Sequence, residues 1–181
     1  MLTPDAFPYV WQFFTAIFLH GSLAHLVYNL FALVFFGLIA EKFIGSNKFL
    51  MLFLVSGIFA NMISFLMFPD GFALGASGAI MALIGVVAVL RPMMTVWAFG
   101  IIMPMFILAI IWIIGSVLGI FGLGDPGIGY IAHLFGIFMG VLYGLYFRLK
   151  TKQHRENYII FRRKIHIPEN EIRRWENFYM K

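Results

Sequence analysis

The chain has 181 residues, of which 62% are hydrophobic and only 12% are charged, and its formal net charge is +5. Average soluble domains carry about 25% charged and about 45–50% apolar residues, so this composition excludes a water-soluble fold. Disorder is excluded as well, because disordered chains are poor in aromatics and 18% of this chain is aromatic. The lack of cysteine excludes disulfides, thiolate metal sites and a cysteine nucleophile. We therefore predict an all-α, polytopic membrane helical bundle.

The first segment, residues 1–21, does not resemble a cleavable signal peptide, because it lacks a basic start and is interrupted by Pro4, Asp5 and Pro8. Its aromatic residues, such as Trp11 and Phe14, are typical of an interfacial segment near the lipid headgroups. We therefore predict that this segment opens a membrane domain comprising residues 1–147.

Five membrane spans are predicted after this segment. A helix needs about 20 apolar residues to cross a bilayer, and charged residues divide the chain into segments of about that length. The predicted spans are at about 22–40, 49–68, 76–90, 93–120 and 128–147. The fourth is unusually long and contains Pro104. The third is short, because the Gly-Ala-Ser-Gly sequence at 75–78 is typical of a loop or a helix start.

The distribution of basic residues predicts the orientation of these spans. Lys42, Lys48 and Arg91 lie in connections on one side, and the other ten of the 13 basic residues follow Phe147. By the positive-inside rule, the C-terminal tail is cytoplasmic, whereas the N-terminus, the turn at 69–71 and the loop at 122–129 face outward. The basic tail, residues 148–181, has two interpretations: a solvated tail that follows the topology, or a segment attracted to anionic lipid.

Several polar groups lie where hydrocarbon is expected. Ionisable residues inside spans are functional candidates by default. His25 and Asn29 are four residues apart and share one helix face, and His20, Ser77 and His133 also fall in the outward half. Taken singly, each has an ordinary explanation: a helix cap for Ser77, interhelical hydrogen bonding for His25 and Asn29, a carbonyl-bonded histidine for His133 and an interfacial residue for His20. Their shared depth favours one common site.

Together these residues supply the groups that acyl transfer requires. A serine hydroxyl is a weak nucleophile until a base removes its proton, and His133 is a candidate base for Ser77. The charge that develops on the attacked carbonyl requires donors aimed at it in advance. The Asn29 amide, the His25 ring and the unpaired N–H groups of a helix that starts at Ser77 are such donors. We therefore predict a serine–histidine dyad without an aspartate.

Small residues flank both members of this dyad. Gly75 and Gly78 allow close backbone approach to the serine, although the spacing is not that of the α/β-hydrolase nucleophile elbow. A small-residue stripe surrounds His133, and its members are Ala132, Gly136, Gly140 and Gly144. Generic helix packing is one explanation for the stripe, and close approach of His133 to Ser77 is the other.

These motifs resemble those of the rhomboid family of intramembrane serine proteases, over about residues 11–147. His20, His25 and Asn29 match the family's H-x4-H-x3-N helix. Residues 75–78 resemble its G-x-S-G nucleophile motif, and residues 132–136 resemble its A-H-x-x-G motif. Each match alone is weak, whereas all of them in this order on one side of the membrane form a strong signal.

The resemblance implies that Ser77 is the nucleophile, that His133 is the general base and that His25 and Asn29 line the oxyanion hole. It gives supporting roles to His20, Gly75, Gly78 and Gly136. It further implies that the substrates are transmembrane proteins cut near the outer membrane face and that the protein is surrounded by membrane lipid. It implies no nucleic acid partner and a mechanism without metal or cofactor.

Three features depart from the family pattern. The family core has six spans, and the first has no counterpart here, so we expect a wrongly assigned start, a truncated gene or a five-span variant. The family's Trp-Arg pair is Trp11-Gln12 here, and a tyrosine four positions after the serine is Met81, which can pack on an imidazole.

Two other functions stay open: an inactive rhomboid-like protein that binds membrane clients, and a transporter or channel component.

Overall fold

The computed structural model describes residues 9–68, 74–164 and 169–179. The predicted outward turn at 69–71 lies outside these residues. The described elements, in chain order, are α1 (Val10–Thr15), a 3-10 turn (Ala16–Phe18), α2 (Leu23–Ile44), α3 (Ser46–Met67), α4 (Ser77–Leu90), β1 (Thr95–Ala98), β2 (Ile101–Pro104), α5 (Met105–Ile120), α6 (Tyr130–Lys164) and α7 (Glu169–Tyr179). The chain forms two compact units, residues 1–145 and residues 146–181.

The described helices are those of a multi-pass membrane bundle, as the composition predicts. By length and composition, three are suited to crossing a membrane: α2, α3 and residues Tyr130–Ile159 of α6. Helices α4 and α5 are also apolar but shorter, with 14 and 16 residues. Many large apolar side chains on α2 and α3 are exposed at the protein surface, which is the arrangement expected where the solvent is lipid.

Helix α4 lies at the centre of the membrane unit. Every residue from Gly78 to Val87 is buried, and the helix packs against α2, α3 and α5. Its packing against α6 depends on glycines, because a methyl group at Gly85 would lie 2.5 Å from the carbonyl oxygen of Ile137. A helix enclosed by protein in this way can begin inside the membrane, since neighbouring elements shield its end from lipid.

A β-hairpin replaces the first part of the predicted fourth span. Residues 93–120 were expected to form one long helix, but α5 begins only at Met105. Antiparallel strands β1 and β2 precede it, with Val96 opposite Met103 and with a turn at Phe99 and Gly100. Pro104 ends β2 and directly precedes the first residue of α5, and its missing N–H donor and its ring disfavour a helix interior.

Helix α2 ends at Ile44 and α3 begins at Ser46, whereas the predicted spans are at about 22–40 and 49–68, so both helices include charged residues that were expected to separate them. The described part of the segment 1–21 forms α1 and the 3-10 turn, and residues 1–8 lie outside the described part. Helix α4 extends over Ser77–Leu90, where a span at 76–90 was predicted. Helix α6 does not end near residue 147 but continues to Lys164, because the basic sequence after Phe147 still favours a helix.

The first segment anchors the loop that precedes α4. Ala16 and Ile17 are fully buried, and a methyl group at Gly57 in α3 would lie 2.7 Å from Cδ1 of Ile17. The side-chain amide of Asn61 donates a hydrogen bond to the carbonyl of Phe13 at 3.0 Å. The backbone N–H of Gly75 donates to the carbonyl of Ala16 at 2.8 Å. The segment therefore links α3 directly to the start of α4.

Candidate active site

Ser77 is the first residue of α4 and is half-buried. The loop before it turns sharply, and Gly75 has a φ of +108°, a conformation that residues with a Cβ rarely adopt. Helix starts leave their first N–H groups without intrahelical partners. The hydroxyl of Ser77 is thus presented beside backbone donors, at a helix end enclosed by protein.

His25 lies against the loop that leads to Ser77. A methyl group at Gly75 would lie 2.8 Å from Cε1 and 2.9 Å from Nε2 of His25, so only glycine leaves room for the imidazole. The position of His25 in the first turn of α2 is fixed by Ser22, whose hydroxyl accepts a hydrogen bond from the His25 N–H at 3.1 Å.

Asn29 lies one helical turn after His25 and is buried. Its amide nitrogen donates to the carbonyl of His25 at 2.9 Å, and 4.0 Å separates the same nitrogen from the Cβ position of Gly75. An amide nitrogen has two donors, so this hydrogen bond leaves one N–H of Asn29 for another acceptor. His25 and Asn29 therefore both face the approach to Ser77.

His20 is adjacent to this pair. The ring centroids of His20 and His25 are 5.0 Å apart, and the rings are at 75° to each other. Nε2 of His20 is buried and has no hydrogen-bond partner among the described residues. His20 thus contacts His25.

Glycines bring α4 and α6 into backbone contact next to Ser77 and His133. A methyl group at Gly136 would overlap the carbonyl oxygen of Gly78, so the two helices touch without side chains between them. A methyl group at Gly78 would lie 3.3 Å from the carbonyl oxygen of Ala132. Gly78 directly follows Ser77, and Ala132 directly precedes His133. The contact therefore brings together the helix ends that carry Ser77 and His133.

His133 is buried, with 5% of its surface exposed. Two aromatic rings stand nearly perpendicular to its imidazole: Trp112 of α5 at 5.9 Å between ring centroids and Tyr130 of α6 at 6.4 Å. The Tyr130 ring in turn packs on Gly119 and Gly124, where any added methyl group would overlap it. The imidazole is thus enclosed by aromatic surface.

The predicted dyad is not joined by a direct hydrogen bond among the residues that the structure describes. Within residues 9–68, 74–164 and 169–179, the Ser77 hydroxyl has no hydrogen bond to His133, and Nδ1 of His133 is buried without a partner. The described residues also contain no group of three or more His, Asp or Glu side chains placed to hold a metal ion.

Sequence reasoning missed three groups at this site. The carbonyl of Ala16 fixes Gly75, and the rings of Trp112 and Tyr130 contact His133. A backbone carbonyl carries no sequence signal, and aromatic residues are common in apolar spans. Met81, four residues after Ser77, is buried in α4.

The fold and the site are those of a helical membrane protein with a serine and a histidine on adjoining helix ends. The Rhomboid domain model matches residues 8–150, and the chain therefore belongs to the rhomboid family.

Several proteins are similar to this chain. RHOMBOID-like protein 1 of Arabidopsis thaliana is 33% identical over 79% of this chain and 36% of its own length. RHOMBOID-like protein 6, mitochondrial, of the same plant is 29% identical over 82% of this chain and 47% of its own. Rhomboid protease GluP of Bacillus subtilis is 41% identical over 41% of this chain and 15% of its own. The chain spans less than half the length of these curated relatives.

Proposed function

We propose that this protein is an intramembrane serine endopeptidase that cleaves transmembrane proteins through a dyad of Ser77 and His133. The main support is the backbone contact of α4 with α6 at Gly78 and Gly136, because it brings the helix ends that carry Ser77 and His133 together. Membership in a family with named proteases supports the same reaction class.

The reaction follows the logic of other serine hydrolases. His133 accepts the proton of the Ser77 hydroxyl as the oxygen attacks the substrate carbonyl, and then transfers that proton to the leaving amine. Water hydrolyses the resulting acyl-enzyme with His133 again acting as base. The absent hydrogen bond between Ser77 and His133 is compatible with this role, since catalytic hydrogen bonds often tighten only when substrate binds.

The oxyanion of the tetrahedral intermediate would be stabilised by the free N–H of Asn29, the His25 ring and the backbone N–H groups at the start of α4. These donors lie around Gly75, next to the nucleophile. Donors fixed before the reaction stabilise developing charge without reorganisation, which is usually the largest contribution of such a site. In this role, Gly75 provides room for His25, and His20 supports the His25 ring.

The substrates that fit this site are membrane-spanning segments. We place the site toward the outer face of the cell membrane and the basic tail in the cytoplasm, on the basis of the lysine and arginine distribution. A membrane segment must lose its local helix before a peptide bond reaches Ser77, so segments with helix-weakening residues are favoured substrates. No metal or cofactor takes part in this mechanism.

Cleavage in lipid vesicles tests this function. The purified chain is reconstituted with a panel of tagged single-span peptides that carry small residues and a Gly or Pro near one membrane face. We expect wild-type protein to cut at least one peptide and Ser77→Ala to cut none. Client binding without cleavage by folded wild-type protein would instead support the inactive rhomboid-like alternative and contradict the proposal.

A further inference from the structure

Among the residues that the structure describes, no polar group bonds Nδ1 of His133 and so orients the imidazole from that side. In serine–histidine sites the base is usually aligned by a third group that accepts a hydrogen bond from its second nitrogen. Nδ1 of His133 is buried and has no partner among the described residues. Packing must therefore restrict the rotation of this ring about its side-chain bonds.

Two aromatic rings pack against His133 and restrict the rotation of its imidazole. The Trp112 ring stands at 89° to the His133 imidazole and the Tyr130 ring at 83°, with centroids 5.9 and 6.4 Å away. These are the edge-to-face distances at which aromatic pairs attract each other, by about 0.5–1.5 kcal/mol per pair beyond area burial. Tyr130 lies one turn before His133 on α6 itself, whereas Trp112 comes from α5, so the contact from a neighbouring helix is that of Trp112.

Trp112 is itself contacted by the tip of the hairpin. The ring of Phe99 lies 6.0 Å from that of Trp112, although Phe99 is 62% exposed. Phe99 has a φ of +53°, a left-handed conformation that costs a residue with a Cβ roughly 1–3 kcal/mol. The four paired positions of β1 and β2 fix this turn. The N–H of Met105, the first residue of α5, donates a hydrogen bond to the carbonyl of Met94 at 2.9 Å.

We infer that Trp112, which packs against Phe99, is a positioning residue that fixes the orientation of the His133 imidazole. Phe99, Trp112 and Tyr130 then form an aromatic brace, which connects the β-hairpin to the dyad. The catalytic consequence rests on the proposed function, whereas the orientation of the ring does not. Because a small misplacement of a reacting group is costly, loss of the indole should slow the reaction of Ser77 by about 10- to 100-fold.

The restraint on the His133 ring is measured independently of activity, by nuclear magnetic resonance of Ser77→Ala protein that carries isotope-labelled histidine. The chain has five histidines, and the His133 imidazole signals are identified by their loss in His133→Asn. Trp112→Ala is expected to increase the rotational mobility of the His133 imidazole, measured by the relaxation of these signals, and to leave the mobility of the His20 ring unchanged. Phe99→Ala should cause a smaller increase, and Trp112→Phe should largely restore the wild-type mobility. Trp97→Ala, on the same hairpin and 61% exposed, is the matched control.

The catalytic consequence is measured on the protein with Ser77 intact, as the rate of covalent labelling by a fluorophosphonate probe. Trp112→Ala should lower the maximal labelling rate without changing the half-saturating probe concentration, and Trp112→Phe should recover most of the rate. Should Trp112→Ala fail to fold, Phe99→Ala and Trp112→Leu serve the same comparison.

Unchanged mobility of the His133 ring in a folded Trp112→Ala variant would overturn the inference, whatever the activity. Increased mobility with an undiminished labelling rate would overturn the positioning role. A wild-type protein that is not labelled at all would contradict the proposed function, while the resonance comparison would still decide the orientation.

Discussion

The backbone carbonyl of Gly78 in α4 lies directly against Gly136 in α6, so that a methyl group on Gly136 would overlap it. The same relationship recurs one turn further, where a methyl group on Gly140 would overlap the carbonyl of Ala82. Two helices approach this closely only where small residues line the contact. The small-residue stripe beside His133 is therefore the contact surface for α4.

Gly136→Ala is expected to separate α4 from α6 near the dyad. Because the added methyl group meets backbone rather than a movable side chain, we expect a loss of about 1–3 kcal/mol in the free energy of unfolding. We also expect loss of covalent labelling by a fluorophosphonate. Thermal unfolding and labelling in detergent measure both effects.

Gly115→Ala is the control for this substitution, because nothing lies within 4 Å of the methyl group it adds to α5. It should be neutral or stabilising by up to about 1 kcal/mol, since alanine is the better helix former. Equal behaviour of the two variants would contradict the close α4–α6 contact.

The sequence predicts the features of this protein that depend on composition and on spacing. The charged segment from Glu41 to Lys48 marks the junction of α2 and α3, although both helices extend into it, and the 75–78 motif marks the start of α4. The hairpin was not predicted, because Thr95–Ala98 and Ile101–Pro104 are as apolar as a span and only Pro104 interrupts them. The aromatic brace was not predictable either, because it joins residues from the hairpin and two helices through tertiary contacts.

Asn61→Ala tests the connection between the first segment and the site. The substitution removes the hydrogen bond to the Phe13 carbonyl and leaves that acceptor without its partner, at a cost of about 1–3 kcal/mol. Since the same segment fixes Gly75 through Ala16, we expect slower fluorophosphonate labelling together with lower thermal stability. Asn47→Ala, at the exposed start of α3, should change neither. An Asn61 variant with wild-type stability would contradict the role of this connection.

Asn29→Ala tests the oxyanion donor. Loss of one such donor in a serine hydrolase costs about 10²–10³ in turnover, and we expect a reduction of this size in peptide cleavage. Helix α2 should remain folded, because the hydrogen bond lost is a local one to His25. Circular dichroism and cleavage are measured on the same sample. Undiminished cleavage would remove Asn29 from the proposed oxyanion hole.

The lack of cysteine permits a direct test of orientation. Single substitutions Leu123→Cys, in the exposed loop before α6, and Gln153→Cys, at an exposed position after Phe147, introduce one thiol each. In intact cells a membrane-impermeant maleimide should label only the Leu123→Cys protein, whereas both should be labelled after permeabilisation. The reverse pattern would contradict a cytoplasmic tail.

The proposed mechanism requires the activation of Ser77 as a nucleophile by His133. It is tested most directly by treating the purified chain with a fluorophosphonate and locating the adduct by mass spectrometry. We expect the adduct on Ser77, no labelling in Ser77→Ala or His133→Ala, and wild-type labelling in Ser116→Ala, which removes a buried hydroxyl without a hydrogen-bond partner among the described residues. Undiminished labelling in folded Ser77→Ala or His133→Ala protein would contradict the dyad.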